Sequence, residues 1–163
     1  MELGVFLLMV AVGLILLNGA GRNDPIVSAG DSAPFPDEPV VAGDRLESIV
    51  QAIARAEGYG KPGAIPTVRN NPGDLESIDG QIKVFMTPDE GWNALRHQVD
   101  LMATGQSRIY QPDMTWVEIA SHYDGETQPD PFTGQPLYMQ WAQNVAQILG
   151  VNVNSTLADY VNS

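Results

Sequence analysis

Glu57 sits where a carboxylate needs a chemical reason to be. From Asp44 the chain reads Asp-Arg-Leu-Glu-Ser-Ile-Val-Gln-Ala-Ile-Ala-Arg-Ala-Glu-Gly. At about 100° per residue, Leu46, Ile49, Val50, Ile53 and Glu57 share one stripe of a helix, with Glu47, Ser48, Gln51 and Arg55 opposite. A carboxyl in the last helical turn meets the negative end of the macrodipole, and an apolar face desolvates it; both effects favour the neutral form. A glutamic acid held protonated near neutral pH is a general acid. The competing reading is structural: the last turn frays and Glu57 points into water.

Positioning such a group requires a bounded helix and a wall opposite it. Asp44 and Glu47 have the spacing of a capping box, and Gly58 is a natural C-terminal stop, so the spacing predicts a helix over residues 44–57. Residues 58–75 hold Gly58, Gly60, Pro62, Gly63, Pro66, Asn70, Asn71, Pro72 and Gly73, which predicts an irregular loop. Loops of that length in compact domains are commonly functional.

The run Arg69-Asn70-Asn71-Pro72-Gly73-Asp74-Leu75 resembles the Asn-Asn-Pro-Gly-Asn-Leu signature of phage-associated peptidoglycan-cleaving proteins of the lysozyme-like superfamily, which includes the lytic transglycosylases. Residues 85–91 are similar to that family's Phe-x-Thr-x-Glu-Gly entry into a helix, residues 114–123 to its Met-Thr-x-x-Glu-x-x-x-x-Tyr helix, and residues 138–151 to its closing helix. The matches keep the family's order over residues 44–163. Asp74 stands where the family usually has Asn, and Gly58 where many transglycosylases have Ser. The resemblance implies a mainly α (α+β) lysozyme-like domain with a small β-hairpin. It also implies Glu57 as catalytic acid and Asn70, Asn71, Gly73, Asp74, Tyr123 and Tyr138 as contacts to glycan. Read without it, Asn-Pro-Gly is a tight turn and Tyr123 equally a core tyrosine.

The remaining elements follow from local signals. Asp79-Gly80 is a hairpin turn between two short extended runs, with Ile82 and Val84 on the buried face. Asp74, Glu76 and Asp79 are the candidates for a second carboxylate, against the plainer role of solvated turn residues. Thr87-Pro88-Asp89-Glu90 starts a helix that should run to Thr104 and stop at Gly105. Its two apolar faces predict a place in the middle of the domain, with His97 a core-edge histidine. Thr115 and Glu118 cap a further helix ending near Tyr123, residues 128–135 form a surface loop that could rim a cleft, and a last helix covers residues 137–149 before Gly150. His97 and His122 lack metal-ligand spacing and the chain has no Cys, so neither a metal nor a cofactor is expected.

A formal net charge of −12 with eight scattered Lys and Arg excludes nucleic acid as a partner, since phosphate contacts need clustered cations. A glycan remains acceptable, because sugars are read by hydrogen bonds and stacking. Residues 3–20 carry Asn18 as their only strongly polar side chain, at the lower end of what spans a bilayer. Met1 and Glu2 precede the run where a secretory signal would have Lys or Arg, which favours a retained transmembrane anchor over a cleaved signal. Residues 21–43, with four Pro among Asp and Glu, read as a tether of roughly 25 Å.

The expected organisation is thus a membrane helix over 1–20, a linker over 21–43 and a catalytic domain over 44–163. It describes a lytic transglycosylase acting on peptidoglycan strands, anchored in a virion membrane or the bacterial inner membrane with its domain facing the cell wall. A lysozyme-type hydrolase and a non-catalytic, membrane-anchored structural or glycan-binding protein of a virion are the alternatives.

Overall fold

The computed structural model describes residues 42–163 apart from 78, 124 and 126. The expected membrane helix and nearly all of the tether lie outside the described residues. Six helices follow in order: α1 (Ala42–Ala56), α2 (Ile65–Val68), α3 (Pro88–Ala103), α4 (Trp116–Tyr123), α5 (Leu137–Leu149) and α6 (Leu157–Val161). Among the described residues there is no strand, only isolated antiparallel bridges. The class is mainly α.

α1, not α3, takes the centre. It packs against α3, α5 and α6, while α4 packs against α5. Ile49, Val50, Ala52, Ile53 and Ala54 are all buried, an arc wider than the stripe the sequence shows, because three helices cover it. The alanines allow this close approach without a large apolar residue at every buried position. α3 buries Gly91, Leu95, Val99 and Met102 on one side. Its second face stays open, and His97 is exposed rather than at the core edge. α5 turns Trp141, Ala142, Val145 and Ala146 inward and leaves Ile148 exposed.

Several ends lie where local chemistry puts them. Thr87 Oγ1 accepts from the Glu90 amide and caps α3, while the Glu90 carboxylate accepts at 2.9 Å from the amide of Met86, one residue before the cap. At α4 Thr115 and Glu118 form the full capping box, the side chain of each accepting from the other's amide. The start of α1 differs. The helix takes in Ala42 and Gly43 from the expected tether, so Asp44 falls inside the first turn and caps nothing. Glu47 is drawn instead into an ion pair with Arg96 of α3 at 2.9 Å, which holds its carboxyl below the usual range. α6 has its own capping box, Thr156 with Asp159, which a five-residue helix does not announce by periodicity.

The two extended runs around Asp79-Gly80 contract to one bridge, Glu76 with Ile82. The Ser77 amide donates to the Gln81 carbonyl at 2.9 Å and the Lys83 amide to the Leu75 carbonyl at 2.8 Å, but pairing ends there. Val84, expected on a buried face, is exposed, so no packing extends the pair.

Candidate functional site

Glu57 is the first residue past α1, and its backbone is fixed from both sides. The Gly58 amide donates to the Arg55 carbonyl at 3.0 Å and the Tyr59 amide to the Ala54 carbonyl at 2.9 Å. These are the two bonds of a Schellman motif, with Gly58 left-handed at φ 77°. The helix end is closed by this cap. The side chain is half-buried, and its Oε1 accepts from Trp141 Nε1 of α5 at 2.6 Å. An indole N–H is a donor only. It can bond a carboxylate oxygen or the carbonyl oxygen of the neutral acid, so it orients Glu57 in either protonation state.

Trp141 is held in turn. Tyr123, the last residue of α4, stacks on it with centroids 4.8 Å apart and planes 26° from parallel. The Tyr123 hydroxyl donates to the Gly73 carbonyl, which links this aromatic pair to the Asn-Asn-Pro-Gly turn. Burial pushes the Tyr123 hydroxyl well above the usual tyrosine range, and the charges of Glu57, Tyr110 and Asp74 push it further the same way. Tyr123 therefore stays a neutral donor at working pH. Gly73 leaves no room for a side chain: a Cβ there would lie 2.7 Å from Leu95 Cδ1 and 2.9 Å from the Tyr123 hydroxyl.

The two motifs of the resemblance prove to be halves of one structure. Asn71 is fully buried; its Nδ2 donates to the Leu75 carbonyl at 2.9 Å and the Lys83 carbonyl at 3.1 Å, and its Oδ1 accepts from the Leu75 amide at 2.9 Å. Asn70, at φ 52°, donates from Nδ2 to the Phe85 carbonyl at 3.1 Å, and the Phe85 amide returns a bond to the Arg69 carbonyl at 3.0 Å. A Cβ on Gly91 would lie 1.8 Å from the Asn70 carbonyl oxygen, so only glycine lets α3 meet the turn. The asparagine amides are thus spent on shaping the loop. Asn71 has no surface to offer a ligand.

Asp74, at φ 45°, is half-buried, and its Oδ1 is buried without a hydrogen-bond partner. Burial raises its pKa; Arg69 works against this and Glu76 with it. Asp79 is exposed, and the bond from the Ser77 hydroxyl holds its carboxyl below the usual range. Glu76 is exposed and is itself one partner of the bridge to Ile82. Of the three acids, Asp74 is the one whose charge is felt, with that of Glu57, at the Tyr123 hydroxyl. Tyr138 packs half-buried against the core. Trp141, which the sequence does not single out, is the group that grips the acid.

A cavity of about 750 Å³ is lined by Gly73, Asp74, Tyr110, Tyr123 and residues of α3. Glu57 is not in its lining; carboxyl and cavity meet through Tyr123. Among the described residues no cluster of His, Cys, Asp and Glu has the makings of a metal site. The chain matches no protein-family model, and neither the curated proteins nor the solved structures give a match.

Proposed function

We propose that the chain is a peptidoglycan-cleaving enzyme of the lytic transglycosylase type, built on a lysozyme-like domain whose hairpin is reduced to the Glu76–Ile82 bridge. The observation that carries this reading is Glu57: a carboxyl at the end of the central helix, anchored by the Trp141 N–H and joined through Tyr123 to the Gly73 turn. A non-catalytic domain has no need to fix a half-buried carboxyl in this way.

In this reading Glu57 first protonates the glycosidic oxygen as the bond to C1 breaks through an oxocarbenium-like state. The resulting carboxylate then removes the proton of the muramic 6-hydroxyl, whose oxygen attacks C1 and closes a 1,6-anhydro ring. The proton count balances, and one carboxyl serves both steps. The hydrolytic variant is favoured by one observation, the half-buried Asp74, which would serve as second carboxylate. Residues 3–20 would anchor the chain in a virion membrane or the bacterial inner membrane, with the domain reaching the wall.

Digestion of purified cell wall by the full chain, with mass spectrometry of the products, tests this. Muropeptides ending in 1,6-anhydro muramic acid are expected, and Glu57→Gln should lower the rate by about 10² to 10⁴ while leaving the fold intact. Reducing ends throughout would turn the assignment to a hydrolase using Asp74. Near-normal turnover by the Gln variant would remove Glu57 from the chemistry.

A further inference from the structure

Asp74 carries a charge that its own turn does not use. Its amide donates to the Asn71 carbonyl at 3.1 Å, and its φ of 45° lies in the left-handed region, which Asp and Asn enter more readily than other side chains. An asparagine would hold that backbone as well. The carboxylate instead sits half-buried, with Oδ1 buried and without a hydrogen-bond partner among the described residues, so the fold gains nothing by ionising it. Its neighbours give the charge somewhere to act. The Gly73 carbonyl, one residue before, accepts from the Tyr123 hydroxyl; Tyr123 stacks at 4.8 Å on Trp141; and Trp141 Nε1 holds Glu57 Oε1 at 2.6 Å. Two carboxyls thus approach one aromatic pair, Glu57 at its tryptophan and Asp74 beside its tyrosine. Packed rings screen a charge far less than water does.

We propose that the Asp74 charge acts on Glu57 across these rings and keeps the acid protonated to higher pH than an uncharged residue at position 74 would. This rests on Glu57 being the proton donor of the reading above. Each of two like charges opposes the ionisation of the other, so the carboxyl that ionises second does so at higher pH. Both carboxylates already act together on the Tyr123 hydroxyl, pushing it further in the direction that burial sets. Other groups face the same place. Arg69 works against burial at Asp74 and Glu76 with it, while Lys83, Arg108, His97 and His122 share the cavity lining with Asp74. Tyr110, pushed up to about 12 by burial, stays neutral, and Lys61 lies over Gly58, where a Cβ would be 3.7 Å from its Nζ. All of these remain when residue 74 is made neutral, so that substitution isolates one charge. Asp74 touches no reacting atom in this scheme; it tunes the acid.

NMR titration of the carboxyl carbons in the full-length chain, held in detergent micelles, reads Glu57 directly, with Glu57→Gln assigning its signal. In Asp74→Asn, Glu57 should titrate about 0.3 to 1.2 pH units lower than in the unsubstituted chain, the effect of a unit charge about 10 Å away at an effective dielectric of about 80 to 20. Asp74→Gly should give the same displacement, because glycine accepts the left-handed backbone and also removes the charge. Agreement of the two separates charge from side-chain shape. In wall digestion at limiting substrate, the descending limb of kcat/KM against pH should move down by the same amount in both variants. Glu57 titrating at the same or a higher pH in Asp74→Asn, or displacements of opposite sign in the two variants, would overturn the coupling. Loss of cleavage at every pH in Asp74→Asn would overturn the tuning role in favour of a second catalytic carboxylate. The titration needs no substrate. A chain that titrates as expected but cuts no wall therefore loses the transglycosylase reading and keeps the coupling, whereas one that cuts wall with no displacement loses only the coupling.

Discussion

An indole N–H would suit a carboxyl proposed to give and take a proton, because it makes no demand on the carboxyl's own proton. If Trp141 serves only packing, Trp141→Phe should change little besides stability, since the ring still stacks on Tyr123. If it orients the acid, the phenylalanine variant should lose about 10- to 100-fold in kcat with KM nearly unchanged, from a bond to an ionisable group worth about 1.5 to 3 kcal/mol. Wall digestion at saturating substrate reads the difference. Asp74 gives a second prediction at this scale. Its pKa is raised chiefly by burial, so the protonated form is the one the fold prefers. Stability from this group is full below the ordinary aspartate pKa of about 3.9 and is lost as pH rises through the higher folded value. Asp74→Asn should therefore raise Tm at neutral pH, and the gain should shrink towards zero as the pH falls below about 4. A constant gain across that range would show that charge is not the cause.

At the scale of elements, the decisive joint is between the Asn-Asn-Pro-Gly turn and the start of α3. A side chain on Gly91 would collide with backbone, the Asn70 carbonyl, which cannot swing aside as the tip of a side chain can. Gly91→Ala should cost about 2 to 4 kcal/mol, at or above the usual range for overpacking, and thermal unfolding would measure it. Since the displaced turn carries the Gly73 carbonyl that accepts from Tyr123, activity should fall by more than the loss of folded protein explains. This joint also shows what the sequence displays and what it hides. The caps at Thr87 and Thr115 and the stops at Gly58, Gly105 and Gly150 are legible because a cap is a local bargain among three or four residues. The apolar placing of Glu57 is legible by periodicity. The grip of Trp141 is not, since it spans 84 positions and an inward tryptophan reads as core. Asn70 and Asn71 mislead for a related reason: polar side chains in a glycine-rich loop suggest a ligand, whereas here their partners are backbone carbonyls of residues up to 15 positions away. Asp44 and Glu47 have correct cap spacing, yet the helix starts earlier and Arg96 claims Glu47.

At the scale of the whole molecule, the domain has to be delivered to the wall it is proposed to cut. A net charge of −12 disfavours attachment to anionic lipid headgroups, so the membrane hold proposed for this chain is apolar. Residues 3–20 would supply that character if the proposal holds: 18 residues lie at the lower end of what crosses the hydrocarbon layer as a helix, and the run holds no Asp, Glu, Lys or Arg. The acidic, proline-containing stretch after it would keep the domain off a like-charged surface, at roughly 25 Å by flexible-chain statistics. The expected outcome of alkaline carbonate extraction is that the full-length chain stays with the membrane pellet, while a variant lacking residues 1–20 is released. N-terminal sequencing of the retained protein should begin at or next to Met1. A mature terminus near Gly21 would show a cleaved export signal instead, and wall cutting would then be the work of a freely diffusing enzyme. The two cases also differ in rate law: a tethered domain cuts wall in proportion to its surface density and only within reach of its linker, so lengthening residues 21–43 should extend the depth of digestion, whereas a released enzyme should be indifferent to that change.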